Sequence, residues 1–585
     1  MTPTPHSMAE TSATQVILSV MPDPSASDTV NLPGAVPLEW WNQFYSFSLF
    51  ERWYTVASGD PFDTSVLLWT RAAPVSTASG EVPDQSVPVC VSFKIFNNQK
   101  LIGRPIDSGE AFTTYDVDFT VKFEATGLQA DTKYWYQFAD CTNPKTVSPI
   151  GATRTLSHPD TPASLVNGGK PLTLAVFSCS QYQSGYFNAY GVAAHNTSAD
   201  VFIHLGDYVA DQSWKAGTAN SNDSSTGCSW SPSGACFTDR KMAAVRAYHE
   251  WMPIRQVAVD DKLRIWRNFQ IGKLLDLTML DTRQYDRDIT DLYYNTDFIE
   301  TLSATVQNRS IMGAAQEKWF YDTLTQSQSR GATWRIVGQQ IVFSQLDELG
   351  VFDFDAWDGY RANRERILDH LYTGKISNTL ILSGDSHANW VSDLARTYHC
   401  LLPLPSSHLI RLSDDADPND TTTYDPVTGK GGIGVEFAGT AVTSSSPFGT
   451  GITPTAADPI EQTLVSANVD LQWSELSYRG FFTLTIDPKN VKATYYAMRN
   501  ISTANLDSFA SAVFNVKAGA NKLDRPVAGG SVSAGALKST ASGSVILNSV
   551  PSSAVSASAV PSSVVSPSAV PSSVISASAI SSSAV

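Results

Sequence analysis

Two segments that lie far apart in the chain decide the fold: DVFIHLGDY at residues 200–208 and TLILSGDSHANW at residues 379–390. Each contains an apolar run of strand length that ends in a glycine. An aspartate follows that glycine at once, Asp207 in the first segment and Asp385 in the second. The carboxyl ends of strands are where α/β folds gather ligand-binding side chains. We therefore expect the two aspartates to lie at one site.

The second segment adds His387, two residues after Asp385. Side chains at positions i and i+2 of an extended segment point to the same side, so both can reach one metal ion. The carboxylate of Asp207 can bridge two cations, because each of its oxygens can bind one ion. Taken alone, an aspartate after a glycine also fits a cap, and a histidine also fits a buried core position. The combination of the two segments favours metal binding.

Two further side chains follow predicted strands. Cys179 ends the run LTLAVFSC at residues 172–179, and its thiolate would suit iron better than Mg²⁺. Arg283 comes shortly after the run LLDLTML at residues 274–280, where a guanidinium suits bidentate recognition of phosphate. In isolation, an ordinary buried cysteine and an ion pair between Arg283 and a neighbouring aspartate explain the two residues equally well.

Size and charge limit the classes of function. With 585 residues, of which 42% are hydrophobic, the chain can form two or more domains with large cores. The net charge of −16 argues against a nucleic-acid-binding surface. No stretch of the sequence approaches the length of a transmembrane helix.

Composition and hydrophobic patterning divide the chain into five parts. Residues 1–47 are polar and rich in Pro and Ser, which predicts disorder. Short alternating runs at 48–157 predict an antiparallel β-sandwich of the fibronectin or immunoglobulin kind. After a linker at 158–170, strands alternate with helical stretches at 171–520, which predicts an α/β layered domain. The tail at 521–585 consists mainly of Ser, Ala, Val and Pro and is predicted to be disordered.

Several features point to a secreted protein. N-glycosylation triplets occur at five asparagines: Asn196, Asn222, Asn308, Asn419 and Asn500. Cys90 and Cys141 fall in the predicted β-sandwich and could pair, as could Cys228 and Cys236, but sequence does not fix the connectivity. The N-terminus lacks the basic region of a signal peptide, so none is predicted. We expect an extracellular or cell-surface location for a chain whose start is atypical or incomplete.

Together these segments resemble the alkaline phosphatase D family of metallophosphatases, in its fungal form. The resemblance rests on motifs in a consistent order: ASGDP (57–61), FSCSQYQSGYFNAY (177–190), HLGDY (204–208), YHEWMPIR (248–255), LLDLTMLDTRQY (274–285), SGDSHANWVSDL (383–394) and GVEFAGTAVTSSSP (434–447). It implies a β-sandwich followed by a metallophosphatase domain that hydrolyses phosphoric esters with Ca²⁺ and Fe³⁺. It also implies small phosphate esters as substrates, and we expect a monomer.

The resemblance assigns roles by position. Cys179 resembles the family's iron-binding thiolate, and Asp207 resembles its bridging carboxylate. Asp385 and His387 resemble ligands from the last metal-binding loop. The expected catalytic residues are Asp207, Arg283 and His387. In the expected reaction a metal-bound hydroxide attacks phosphorus in line, and Arg283 neutralises the phosphate oxygens.

The sequence departs from the family pattern after Tyr208. There the family continues with Ile-Tyr-Glu, whose Tyr binds iron, then a helical stretch and a strand that ends in Trp-Asp-Asp-His-Glu. Here Tyr208 is followed directly by VADQSW, so an internal segment is missing, and Gln212 stands where an asparagine ligand is expected. Each missing anion weakens metal binding. The alternative is a catalytically impaired phosphatase fold that serves as an exported surface or scaffold protein.

Overall fold

A computed structural model describes residues 17–20, 56–74, 84, 86–206, 237–257, 261, 263–288, 308–396 and 424–538. Within these residues the chain forms three β-sheets and five α-helices. No helix in the described parts is both long and apolar enough to cross a membrane.

The first sheet crosses the boundary between the predicted β-sandwich and the predicted α/β domain. Its nine strands are β1 (Ile17–Val20), β2 (Val56–Gly59), β3 (Val66–Arg71), β6 (Thr120–Ala125), β9 (Leu172–Phe177), β10 (Val201–His204), β18 (Arg479–Ile486), β19 (Asn490–Met498) and β20 (Ser508–Lys517). They lie in the order β20-β19-β18-β9-β10-β1-β2-β3-β6. β1 comes from the segment predicted to be disordered, and it pairs with both β10 and β2.

The second sheet belongs wholly to the C-terminal half. Its eight strands are β11 (Arg267–Ile271), β12 (Leu275–Met279), β13 (Trp334–Gly338), β14 (Thr379–Ser383), β15 (Asn389–Leu394), β16 (Gly434–Ala438), β17 (Leu471–Glu475) and β21 (Ala536–Leu537). The order is β11-β12-β13-β14-β16-β15-β17-β21. β12, β13, β14 and β16 are parallel neighbours, so their carboxyl ends line one edge of the sheet.

Helices cover the outer faces of these two sheets. The five helices are α1 (Asn188–Asn196), α2 (Phe237–Trp251), α3 (Gly313–Ser329), α4 (Arg361–Thr373) and α5 (Pro454–Ala467). Between the sheets, Leu174 of β9 shares a core with Leu277 of β12 and Leu382 of β14. Phe320 of α3 and Ile367 of α4 share a second core that includes strands of the second sheet. The result is a layered, sheet-rich α/β fold.

The third sheet lies near the N-terminus and is antiparallel throughout. Its strands are β4 (Val89–Phe96), β5 (Asp107–Thr113), β7 (Lys133–Asp140) and β8 (Gly151–Arg154), in the order β5-β4-β7-β8. Val91 of β4 and Tyr136 of β7 share a core with Leu68 of β3, so this sheet packs on part of the first. A disulfide joins Cys90 to Cys141 with a Cα–Cα distance of 5.4 Å, which confirms that pairing.

The folded part of the chain continues beyond residue 520, where the sequence predicts a disordered tail. β21 pairs with β17, and Leu523 is only 1% exposed. The stretch from 521 to 538 is rich in Gly, Ser and Ala, so its local pattern does not predict an ordered segment. Residues 541–585 form a separate unit and lie outside the described residues.

Candidate metal and phosphate site

The candidate site forms where strand ends of the two stacked sheets meet. Ser178 follows β9 in the first sheet, and Gly384 follows β14 in the second. The two residues touch, because a Cβ atom built on Gly384 would lie 2.7 Å from the Cβ of Ser178. The next residues of the chain, Cys179 and Asp385, therefore lie at the same edge of the fold.

Cys179 occupies a tightly held turn. It is fully buried, and its φ of 58° is a left-handed conformation that residues other than glycine rarely adopt. Its amide donates a hydrogen bond to the carbonyl of Gly206 at 3.0 Å. Its carbonyl accepts one from the Oγ of Ser444 at 3.1 Å. Hydrogen bonds to two separate loops thus fix the turn that presents the thiol.

A buried cation lies close to this turn. The guanidinium of Arg479 donates to the carbonyls of Ser444 at 2.6 Å and Leu476 at 3.2 Å. Burial lowers the pKa of Arg479 to about 10, and its interactions with Glu475 and Cys179 oppose that shift. A nearby positive charge favours the thiolate form of a cysteine, which is the form that binds metals.

Asp385 and His387 lie in a short loop, not in an extended strand. β14 ends at Ser383 and β15 begins at Asn389. Both Asp385 and His387 have left-handed backbones, with φ of 70° and 54°. The expectation that they point to one side of a strand was therefore wrong in its premise, because the alternation of side chains holds only for extended backbone.

His387 has its tautomer fixed by the backbone. Its Nδ1 lies 2.9 Å from the carbonyl oxygen of Ser445. Since a carbonyl oxygen can only accept, Nδ1 carries a proton, and in the neutral ring Nε2 then carries the lone pair. Nε2 is therefore the ring atom that can bind a metal ion. Ser445 is adjacent to Ser444, so one loop contacts both His387 and the turn at Cys179.

The guanidinium of Arg283 is shared by two carboxylates. It forms ion pairs with Asp355 and Asp385, and its side chain is only 5% exposed. Asp355 also pairs with Arg287 at 2.7 Å. Ion pairs of Arg283 with aspartates are thus observed, and one of the partners, Asp355, was missed from the sequence; recognition of phosphate by Arg283 stays a prediction. Asp355 lies in a loop before a short turn, where no periodic pattern singles it out.

Buried amides hold the loop that carries Arg283. The Oε1 of Gln340 accepts from both the amide and the hydroxyl of Thr282 at 2.7 Å. The Nε2 of Gln340 donates to the carbonyl of Leu280 at 2.8 Å. Gln340 lies just beyond the end of β13, so it ties the ends of β12 and β13 together.

A buried carboxylate supports the loop that carries Asp385. Glu436 of β16 is fully buried and accepts from the amides of Phe343 and Ser344 at 2.7 and 2.8 Å. It also accepts from the hydroxyl of Ser383 at 2.5 Å, two residues before Asp385. The sequence places Glu436 at a strand-to-loop junction without indicating its role, and Gln340 was missed. The signal for both is a polar residue within or just after an apolar strand.

The donors present fit iron and calcium by their chemistry. A thiol, a carboxylate and an imidazole lie at one edge of the fold, and these are ligand types for iron and, for the carboxylate, calcium. Among the described residues, however, only Cys90, Glu110 and Cys141 have ligand atoms all within 4.8 Å of one another, and that group contains the disulfide. The other expected ligands, Asp207 and Gln212, lie outside the described residues.

Comparisons with known proteins match most of the chain. The profile of the family described as "PhoD-like phosphatase" matches residues 174–225 and 209–495. The profile "PhoD-like phosphatase, N-terminal domain" matches residues 51–157. Alkaline phosphatase D of Bacillus subtilis (strain 168) is 27% identical over 513 residues, covering 77% of this chain and 78% of that protein. A solved structure of PhoD is similar with a TM-score of 0.61 and 26% identity, covering 80% of this chain and 91% of the other.

Proposed function

The chain belongs to the PhoD-like phosphatase family, and from that premise we propose that it hydrolyses phosphoric esters at the strand-end site with the help of bound metal ions. Membership of this family makes the chain a phosphoesterase-type hydrolase. The observation that carries the proposal for the site is the contact between Ser178 and Gly384. It brings the thiol of Cys179 and the carboxylate of Asp385 to one edge, beside the guanidinium of Arg283.

We propose Fe³⁺ and Ca²⁺ as the metals. The residues that would hold them are Cys179, Asp207, Gln212, Asp385 and His387. Cys179 supports iron, because soft thiolate ligands suit transition metals, whereas carboxylate and amide oxygens suit calcium. When bound, such ions would polarise the phosphoryl oxygens and lower the pKa of water at the site.

Arg283 has a double role in this proposal. In the structure its guanidinium binds Asp355 with one nitrogen and Asp385 with the other. If Asp385 ligates a metal, its ion pair with the second nitrogen of Arg283 weakens. That nitrogen can then donate a hydrogen bond to an oxygen of the phosphate. Asp355 would keep the guanidinium in place throughout, so the cation is preorganised where negative charge develops.

We further propose that the chain lacks an internal segment after Tyr208. Two features of the comparisons support this. The family profile matches in two pieces, and the second piece begins at residue 209. The alignment with the B. subtilis protein spans 513 positions but includes only 77% of the 585 residues of this chain, which is fewer residues than positions. Some positions of the B. subtilis protein therefore have no counterpart in this chain.

The second candidate function follows from the same gap. A metal site that lacks ligands binds its ions weakly, because each missing anion removes part of the binding energy. This candidate is a catalytically impaired phosphatase fold with a scaffold or surface role. Metal content separates the two candidates.

We propose that the protein is exported and N-glycosylated. Three asparagines of the predicted triplets are described, and all three are exposed: Asn196, Asn308 and Asn500. The disulfide between Cys90 and Cys141 supports an oxidising compartment. Digestion of the secreted protein with an N-glycosidase should lower its apparent mass; an unchanged mass would oppose glycosylation.

The proposed activity is tested by metal content and turnover of one preparation. Elemental mass spectrometry should find near-stoichiometric iron together with calcium, and p-nitrophenyl phosphate or bis(p-nitrophenyl) phosphate should be hydrolysed. Asp207→Asn and Asp385→Asn should each abolish turnover and reduce the metal content. Asp84→Asn, at an exposed aspartate, is the matched control and should change neither. Little metal and no turnover after reconstitution with both ions would overturn the proposed activity and favour the catalytically impaired fold.

A further inference from the structure

Three polar side chains form a buried cluster behind the turn at Cys179. They are Ser180, Tyr190 of α1 and His204 of β10, and the exposed fractions of Ser180 and His204 are 1% and 4%. The hydroxyl oxygens of Ser180 and Tyr190 lie 2.5 Å apart. The Nε2 of His204 lies 3.0 Å from the Tyr190 oxygen and 3.3 Å from the Ser180 oxygen.

The backbone fixes the tautomer of His204. The amide of Gly206 donates to Nδ1 at 3.2 Å, so Nδ1 carries the lone pair. Nε2 therefore carries the proton and donates it to the hydroxyl pair. Burial lowers the pKa of His204 to about 3, so the ring is neutral at physiological pH. The neutral imidazole thus accepts from the backbone at Nδ1 and donates to the hydroxyl pair at Nε2.

This cluster reaches Cys179 from two directions. The carbonyl of Gly206, whose amide is bound to His204, accepts the hydrogen bond from the amide of Cys179 at 3.0 Å. Ser180, which is bound to Tyr190 and His204, is the next residue after Cys179. The cluster thus connects the end of β9, the end of β10 and α1 around the left-handed turn at Cys179.

We propose that His204 and Tyr190 are positioning residues that hold Cys179 in the conformation needed to bind a metal ion. The inference rests on the proposed function, because it assigns these residues a purpose only if Cys179 is a ligand. Left-handed backbone at a cysteine costs free energy, and the cluster supplies hydrogen bonds that fix it. Hydrogen-bond partners behind metal ligands typically contribute about 10- to 100-fold to metal affinity.

The test compares two variants that each remove one hydrogen-bonded tyrosine hydroxyl. Tyr190→Phe breaks the cluster. Tyr134→Phe, the matched control, removes a hydroxyl that accepts from the amide of Gln129 at 2.7 Å in the N-terminal part of the chain. The readouts are the iron retained per chain against increasing chelator, measured by elemental mass spectrometry, and the melting temperature. Both variants should lower the melting temperature, but only Tyr190→Phe should release iron at about 10- to 100-fold less chelator.

Substitutions at His204 refine the test. His204→Asn keeps an acceptor near the amide of Gly206 and should retain more iron than His204→Phe, which keeps none. Wild-type retention of iron in Tyr190→Phe and His204→Phe would overturn the inference while leaving the proposed function intact. A wild-type chain that holds no iron would overturn both. If His204→Phe does not fold, Tyr190→Phe decides alone, because it removes a single oxygen atom.

Discussion

The two ion pairs of Arg283 decide which substitution is informative at this residue. Arg283→Lys keeps the positive charge but cannot bind Asp355 and Asp385 with two nitrogens of one rigid group. We expect kcat/KM for p-nitrophenyl phosphate to fall by about 100-fold, which is the scale reported for losing one preorganised donor to developing negative charge. Steady-state kinetics at saturating metal measure this change.

Arg287→Lys is the matched control for that substitution. Arg287 binds the same carboxylate, Asp355, at 2.7 Å, and no ion pair with Asp385 is among its described contacts. Arg287→Lys should lower the stability of the fold, but it should change kcat/KM far less than Arg283→Lys does. Equal losses of activity in the two variants would mean that Arg283 acts through Asp355 and the surrounding packing, without a role at the phosphate.

Glu461 is a buried acid whose charge opposes folding. It lies on α5, is 2% exposed, and accepts from the amide of Leu476 at 2.8 Å. Burial first, and then the charge of Glu475, raise its pKa from 4.5 to about 8. A carboxyl with a raised folded-state pKa binds more protons in the folded chain than in the unfolded one. Its contribution to stability therefore falls as the pH rises from 4.5 to 8 and stays low above that.

Glu461→Gln should remove this loss, because the amide keeps an oxygen for Leu476 but does not ionise. Urea unfolding should show little change near pH 5 and a gain at pH 9 of a few kcal/mol at most, since one pKa unit corresponds to about 1.4 kcal/mol. Glu110→Gln, at an exposed glutamate, should leave the pH dependence unaltered. A variant no more stable than wild type at pH 9 would show that Glu461 is ionised without cost.

The residues of the site were predictable to different degrees. Cys179, Asp385 and the glycines before the aspartates follow apolar runs, and a strand end is visible in the local pattern. Asp355 was not predictable, because it lies in an irregular loop and meets Arg283 across a separation of 72 residues. Local patterning specifies elements, whereas ion pairs between loops depend on how those elements pack.

At the scale of elements, Asp60 connects the N-terminal strands to the segment after α2. Its Oδ2 accepts from the amide of Arg255 at 2.6 Å and also pairs with the side chain of Arg267. Asp60 is 2% exposed and directly follows β2. These contacts give a structural role to two motifs, ASGDP and YHEWMPIR, that lie far from the candidate site in sequence.

Asp60→Ala should lower the free energy of unfolding by about 3–5 kcal/mol, because it leaves two half-buried cations, 14% and 15% exposed, without their shared buried carboxylate. Denaturant unfolding followed by tryptophan fluorescence measures the change, since Trp69 and Trp251 lie at this junction with ring centroids 5.6 Å apart. Asp84→Ala, at an exposed position, is the control. A loss below about 1 kcal/mol, the range of surface ion pairs, would show that Asp60 does not couple the elements.

The positions of the strands and helices were more predictable than the pairing of the strands within the sheets. The runs that form β9, β10, β12 and β14 were each expected as strands, and helical stretches were expected to alternate with the strands at 171–520. The sequence did not predict that β2, β3 and β6 join the sheet of the α/β region through β1. Pairing between distant strands is specified by tertiary packing, which a local hydrophobic pattern does not contain.

For the whole molecule, the end of the folded unit can be located by two truncations. A chain that ends at residue 520, the predicted domain boundary, loses β21 and Arg525. Arg525 forms an ion pair at 2.5 Å with Asp393, whose side chain is 0% exposed, and the amide of Leu523 donates to the same carboxylate at 2.8 Å. A chain that ends at residue 540 keeps all of these contacts and removes only the separate unit.

We expect the two truncated chains to behave differently for this reason. The chain ending at 540 should match the full chain in melting temperature and metal content, because the described cores and site residues lie before that point. The chain ending at 520 should lose about 3–5 kcal/mol of stability, since it leaves a buried carboxylate unpaired. Asp393→Asn in the shorter chain should recover part of the loss by removing the charge. Equal stability of the two chains would mean that residues 521–540 contribute nothing to the fold, whereas a loss in the longer chain would place the boundary further towards the C-terminus.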